Sequence, residues 1–186
     1  MGFALKIEIR EAKNTLTSDC GLLQAAKREL RDFLEGLSLD GDSELAASKK
    51  IKIPLFHWAE SHGWKKNRLV NPGIPSGIPT SIYKVNLLKD LPNCSCGSHH
   101  RIFFHAYFDN RQAIGTNLLR LGVAKKYFEQ TDANQAELIA LVVDSKSREY
   151  FGWDKSVGTV EEYEYALTKI YEFALKSQID FWVIRN

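Results

Sequence analysis

Long apolar runs, abundant cysteine and an excess of charge are all missing from this chain. No stretch approaches the ~20 apolar residues that a membrane span needs, and the N-terminus shows no apolar signal-peptide core. Only 3 cysteines occur in 186 residues. With so few and no secretory signal, the sequence predicts a reduced, intracellular, cytoplasmic protein without a membrane partner. Cys20 is expected as a lone thiol, buried or partly buried. Lys and Arg total 25 against 23 Asp and Glu, a net charge of +2, which argues against a strongly basic nucleic-acid tail but leaves room for a local basic patch. Two such patches exist, Lys49-Lys50-Ile51-Lys52 and Lys65-Lys66-Asn67-Arg68; each is more often a solvated surface than a phosphate contact. Internal repeats and low-complexity tracts are absent too. Proline is scarce outside Asn71–Pro79, where three prolines and two glycines forbid regular structure and mark a connecting loop.

What is present suits one domain with a sizeable core: 44% hydrophobic and 26% charged residues. Residues 3–10 alternate like a strand. Asp19 is placed to cap a helix over Cys20–Glu35, with Leu22, Leu23, Ala26, Leu30 and Phe33 on its inner stripe. Residues 36–48 read as a loop or frayed helix. Ile53–Gly63 reads as a short helix with Pro54 in its first turn and Gly63 past its end, and places His57 and His62 as surface or packing residues. Strands are expected at Ser81–Leu88, Ile102–Phe108, Glu137–Val143 and Ile179–Ile184. Helices are expected at Thr116–Gln130 and from the Thr159–Glu162 capping box to about Lys176. The inner face of the latter is Tyr163, Ala166, Leu167, Ile170, Phe173 and Ala174. This order predicts an α/β fold, a mixed central sheet flanked by helices.

The most informative stretch is Arg101–Asn110. Alternation on a strand puts Phe103, His105, Tyr107 and Asp109 on one face and Ile102, Phe104, Ala106 and Phe108 on the other. Three successive polar groups on one face are costly to bury without a purpose. If Ser81–Leu88 is the hairpin partner, Ile82, Lys84 and Asn86 share a face that can meet His105, Tyr107 and Asp109, with Asn110 and Arg111 alongside. The alternative is a satisfied core histidine and an aspartate at the solvent end of the strand.

From about residue 80 to 184 the chain resembles the PD-(D/E)xK nuclease superfamily, most closely type II restriction endonucleases that cut RGATCY-like sites. That family carries an Asp on the first hairpin strand, Glu-x-Lys or Glu-x-Gln on the second, and then Phe-x-Asn before a helix. Phe108-Asp109-Asn110 fits the last element, and Asn117 and Arg120 fall where a related helix carries Asn and Arg. The acidic motif itself is replaced: its Asp position falls on Asn86, its Glu on His105 and its Lys or Gln on Tyr107.

The resemblance implies a restriction-endonuclease-like fold, Mg²⁺ and double-stranded DNA as a partner, with the chain acting as a homodimer on a palindrome. Residues 1–72 would form an N-terminal helical part and possible dimer surface, and 80–186 the nuclease-like core. His105, Tyr107 and Asp109 with Asn86 are the candidate catalytic group, His105 as general base. The resembling loop reads base edges in the major groove, which places Trp153, Asp154, Lys155 and Ser156 as DNA-binding residues. Asn110, Arg111, Asn117 and Arg120 join them at the DNA. A catalytically inactive DNA-binding or accessory protein on the same scaffold is the rival expectation.

A second constellation is independent of that resemblance. Cys94-Ser95-Cys96-Gly97-Ser98-His99-His100 offers sulfur and nitrogen ligands of the kind Zn²⁺ takes, at a spacing that matches no standard finger. It reads as a hairpin loop with Gly97 at its turn, holding zinc through some of Cys94, Cys96, His99 and His100. That leaves a third expectation, a zinc-stabilised protein-interaction module.

Overall fold

Alternating apolar residues on the strands give the sheet two faces to cover, and the four helices cover them. The computed structural model describes residues 3–4, 6–10, 20–39, 47–69, 84–92, 94–107, 111–143 and 160–185. In chain order the elements are β1 (Phe3–Ala4), β2 (Lys6–Arg10), α1 (Gly21–Glu35), β3 (Ser38–Leu39), α2 (Ala47–Ser61), β4 (Lys65–Leu69), β5 (Lys84–Leu91), β6 (His99–Tyr107), α3 (Arg111–Phe128), β7 (Asn134–Val143), α4 (Val160–Lys176) and β8 (Ile179–Arg185). Six strands form the central sheet in the order β2-β8-β7-β6-β5-β4, and β1 pairs separately with β3. The strands β6, β7 and β8 run parallel, joined through α3 and α4, while β2, β5 and β4 pair antiparallel to their neighbours. The expected α/β fold with a mixed sheet flanked by helices is therefore the fold adopted.

Central parallel strands are buried on both faces, so they read as nearly continuous apolar runs. On one face Leu87, Ile102, Phe104, Ile139, Leu141, Trp182 and Ile184 pack with Leu23, Leu30 and Leu34 of α1 and Ile51, Leu55 and Ala59 of α2. On the other, Phe103, Leu138, Ala140, Val142, Phe181 and Val183 pack with Leu118, Leu121 and Ala124 of α3 and Ala174 of α4. A buried ion cluster sits under α1: Lys27 Nζ lies 2.5 Å from Asp180 Oδ2 and 4.0 Å from Glu137 Oε2.

Several local expectations are corrected. Cys20, not Asp19, is the N-cap of α1, and it makes no side-chain cap hydrogen bond. Leu22 is 48% exposed rather than on the inner stripe, and Phe173 of α4 is 55% exposed. Helix α2 begins at Ala47 and runs through Pro54. An interior proline removes a backbone donor and normally breaks a helix; here Ile51, Leu55 and Ala59, four residues apart, are fully buried and hold the turns on either side. Lys65-Lys66-Asn67-Arg68 is not merely a surface patch but the start of the edge strand β4. Cys20 is not a lone thiol, since it is disulfide-bonded to Cys94.

Among the described residues no helix is long and apolar enough to cross a membrane. The loop expected at 71–79, the capping residue Thr159, and Phe108, Asp109, Asn110, Trp153, Asp154, Lys155 and Ser156 lie outside the described residues.

Candidate functional site: a cationic cleft where the hairpin opens

The expected hairpin forms, and its open end makes the cleft. Strands β5 and β6 pair antiparallel from Leu91↔His100 to Leu87↔Phe104. Beyond that point the ladder stops, and the Asn86 side chain replaces it: the Ala106 N–H donates to Asn86 Oδ1 at 2.9 Å. Alternation on β5 also breaks here, because Val85 and Leu88 both pack on the α3 side while Leu87 packs on the other. The β4–β5 register passes from Lys66↔Leu87 to Arg68↔Val85, and Asn67 between them has a positive φ of 48°. A local break of this kind bends a strand and re-aims its side chains.

The resulting cavity, about 460 Å³, is lined by Lys52 of α2, Asn67 of β4, Lys84, Val85 and Asn86 of β5, His105 and Ala106 of β6, and Thr116, Asn117 and Arg120 of α3. Four residues singled out in the sequence thus converge: Asn86, His105, Asn117 and Arg120. Arg120 Nη1 donates to Asn117 Oδ1 at 2.6 Å, which fixes the guanidinium against α3. Its Nε is a buried donor with no acceptor among the described residues. Lys52, Lys84 and Asn67 were not among the site candidates. Lys52 looked like part of a solvated patch because nothing local shows that α2 starts early enough to carry it over the hairpin.

The electrostatics are one-sided. Lys52, Lys84 and Arg120 supply positive charge, and no carboxylate is among the described lining residues. His105 feels this directly. Burial, then the charges of Arg120 and Lys52, push its pKa down to about 3. The imidazole is therefore neutral at physiological pH, and it is a weak base there, since a catalytic base works best with a pKa near the operating pH. The Asn86 oxygen, for its part, already serves the backbone of β6. The backbone of Tyr107 pairs with Val142 at the end of β6, and Arg111 opens α3; nothing is described of either side chain.

The described part of this lining does not by itself supply the ligands for the Mg²⁺ that the family resemblance implies, and Asp109 lies outside the described residues. Magnesium asks for carboxylate oxygens in a near-octahedral shell. The described residues offer cations, a neutral imidazole, the Thr116 hydroxyl and the amides of Asn67, Asn86 and Asn117, with the Asn86 and Asn117 oxygens already accepting hydrogen bonds.

At the far end of β6 lies a second group of side chains. Asp90 accepts from Arg101 through Nε at 2.9 Å and Nη2 at 3.0 Å, and its Oδ1 lies 2.8 Å from His99 Nε2. Burial opposes ionisation of Asp90, but these hydrogen bonds and the neighbouring charges outweigh it and hold the pKa below the usual carboxylate value. His99 is thereby turned away from the cysteines. Instead Cys20, Cys94, Cys96 and His100 place one ligand atom each within 4.8 Å of one another. Gly97, with φ of 81°, makes the turn between them, and its N–H donates to the Cys94 carbonyl at 3.0 Å.

No family model matches the sequence, and no curated protein matches it. Among solved structures, the crystal structure of restriction endonuclease BglII complexed with a DNA 16-mer is similar to this chain with a TM-score of 0.48 and 12% identity, over 98% of this chain and 77% of that one.

Proposed function

We propose that the chain binds double-stranded DNA, with Lys52, Lys84 and Arg120 of the cleft between β5 and β6 each neutralising a backbone phosphate, and that this cleft does not cut the strand with Mg²⁺. The observation that carries this is the lining itself: Lys52, Lys84 and Arg120, from three different elements, converge on one cleft. A low-dielectric cleft lined by one sign of charge concentrates the opposite sign. The buried Nε donor of Arg120 adds capacity for an oxyanion oxygen. The sequence resemblance supports duplex DNA as the source of the phosphate. In the same reading the chain acts as a homodimer on a two-fold target, with Arg111 at the phosphates and Trp153, Asp154, Lys155 and Ser156 at the base edges.

A salt titration of duplex binding, run with and without Mg²⁺, tests this. Three phosphate contacts give a slope of log K against log salt of about −2.7, or about 40-fold weaker binding between about 50 and 200 mM. We expect binding with at least that slope and intact DNA after incubation with Mg²⁺ or Mn²⁺. Salt-insensitive binding, or none, would refute DNA binding. Cleavage abolished by Arg120→Gln would refute the non-cleaving cleft.

A further inference from the structure

We propose that Cys20, Cys94, Cys96 and His100 bind one zinc ion in the reduced protein, as a closed structural site that fastens the start of α1 to the β5–β6 turn. The donor set comes from three separate places in the chain. Cys20 is the N-cap of α1, Cys94 opens the turn that contains Cys96, and His100 is the second residue of β6. Their ligand atoms all lie within 4.8 Å of one another, with Cys96 Sγ 3.0 Å from His100 Nε2. Around a tetrahedral zinc, with bonds near 2.3 Å to sulfur and 2.0–2.1 Å to nitrogen, donor atoms sit about 3.5–3.8 Å apart. Side-chain adjustments within the cluster reach that spacing without moving a strand. Three sulfurs and one imidazole nitrogen are the soft tetrahedral set that selects zinc over hard cations. Four protein ligands leave no open position, which marks a structural rather than a catalytic ion.

Burial supports the same assignment. Cys20, Cys94 and His100 are 2%, 8% and 1% exposed, and only Cys96 reaches solvent, giving the ion a way in. His99 is excluded because Asp90 holds its Nε2. The site lies five residues along β6 from His105, about 17 Å from the cleft, so it is separate from phosphate binding.

The Cys20–Cys94 disulfide is the metal-free, oxidised form of this cluster. A dithiol reductant converts it: two electrons and two protons break the S–S bond and leave two thiols, while the dithiol closes to its own disulfide. The three cysteine thiols then release three protons as their sulfurs take the ion, with His100 as the neutral fourth ligand.

Cobalt(II) titration of the reduced full-length chain provides the test. We expect one equivalent to give tetrahedral d–d bands and a thiolate-to-cobalt charge-transfer band, both abolished by one equivalent of zinc. Cys96→Ser, at the exposed position, and His100→Ala should each weaken zinc binding by more than about tenfold, whereas His99→Ala should leave it unchanged. Absence of the charge-transfer band in the wild-type chain would overturn the assignment whatever the variants do. So would a Cys20→Ser variant that binds zinc as tightly as wild type, or equal losses from His99→Ala and His100→Ala.

Discussion

Lowering the pH should unfold this protein in part through one residue, His105. In the folded chain burial and the charges of Arg120 and Lys52 depress its pKa to about 3. In the unfolded chain it returns to about 6.5. Below pH 6.5 the unfolded state takes up a proton that the folded state refuses until about pH 3. Stability from this residue is therefore fully present above pH 6.5 and is lost as the pH falls through that window. Linkage between those two values gives a loss of about 2 kcal/mol on going from pH 8 to pH 5. Urea denaturation of wild type and His105→Gln at both pH values isolates the contribution, because every other titrating group is common to the two proteins. Wild type should lose about 2 kcal/mol more than the variant over that interval. An equal loss in both, or an imidazole NMR titration with its midpoint near the unperturbed value, would refute the cationic, desolvated environment assigned to the cleft.

Other perturbations have equally definite outcomes. Replacing both Lys52 and Arg120 by Gln should flatten the salt slope of duplex binding by about 1.8, two phosphate contacts' worth, and an unchanged slope would remove these residues from the interface. Lys27→Met strands Asp180 and Glu137 as buried charges, so chemical denaturation should show a loss of about 3–5 kcal/mol. Neutralising both carboxylates in the same background should recover most of it. Asn86→Ala deprives the Ala106 N–H of its acceptor; we expect a loss of about 1–3 kcal/mol, and faster hydrogen exchange at Ala106 should accompany it. Asp90→Asn should destabilise the chain by about 1 kcal/mol at neutral pH, with the difference from wild type shrinking as the pH drops toward the acid range in which Asp90 itself takes a proton.

Periodicity made the second half of the fold legible. The strands at 102–107, 137–143 and 179–184 are largely apolar because they occupy the middle of the sheet, and their helices repeat every three to four residues. The convergence of Asn86 with His105 was legible for a related reason, since a hairpin brings its two strands into register from local pattern alone. What stayed hidden depended on partners distant in sequence. Strand β4 carries two lysines at its start and becomes a strand only because β5 offers it hydrogen bonds. The early start of α2 was masked by Pro54, whose local preference is overridden by burial of Ile51 and Leu55. Cys20 stands 74 residues from Cys94, and no short motif spans that gap. The depressed basicity of His105 was invisible because it comes first from burial by elements distant in sequence, and then from charges on α3 and α2.

Strand β4 also governs how copies of this molecule can meet. It closes the sheet on one side, and a visiting strand would have to dock against the ammonium groups of Lys65 and Lys66 and a backbone that turns left-handed at Asn67. Lysines and a local twist on an outer strand are how sheets resist lengthening through a neighbour. A second copy would then not add to the sheet through this edge, and the mouth beside β5 would stay unobstructed.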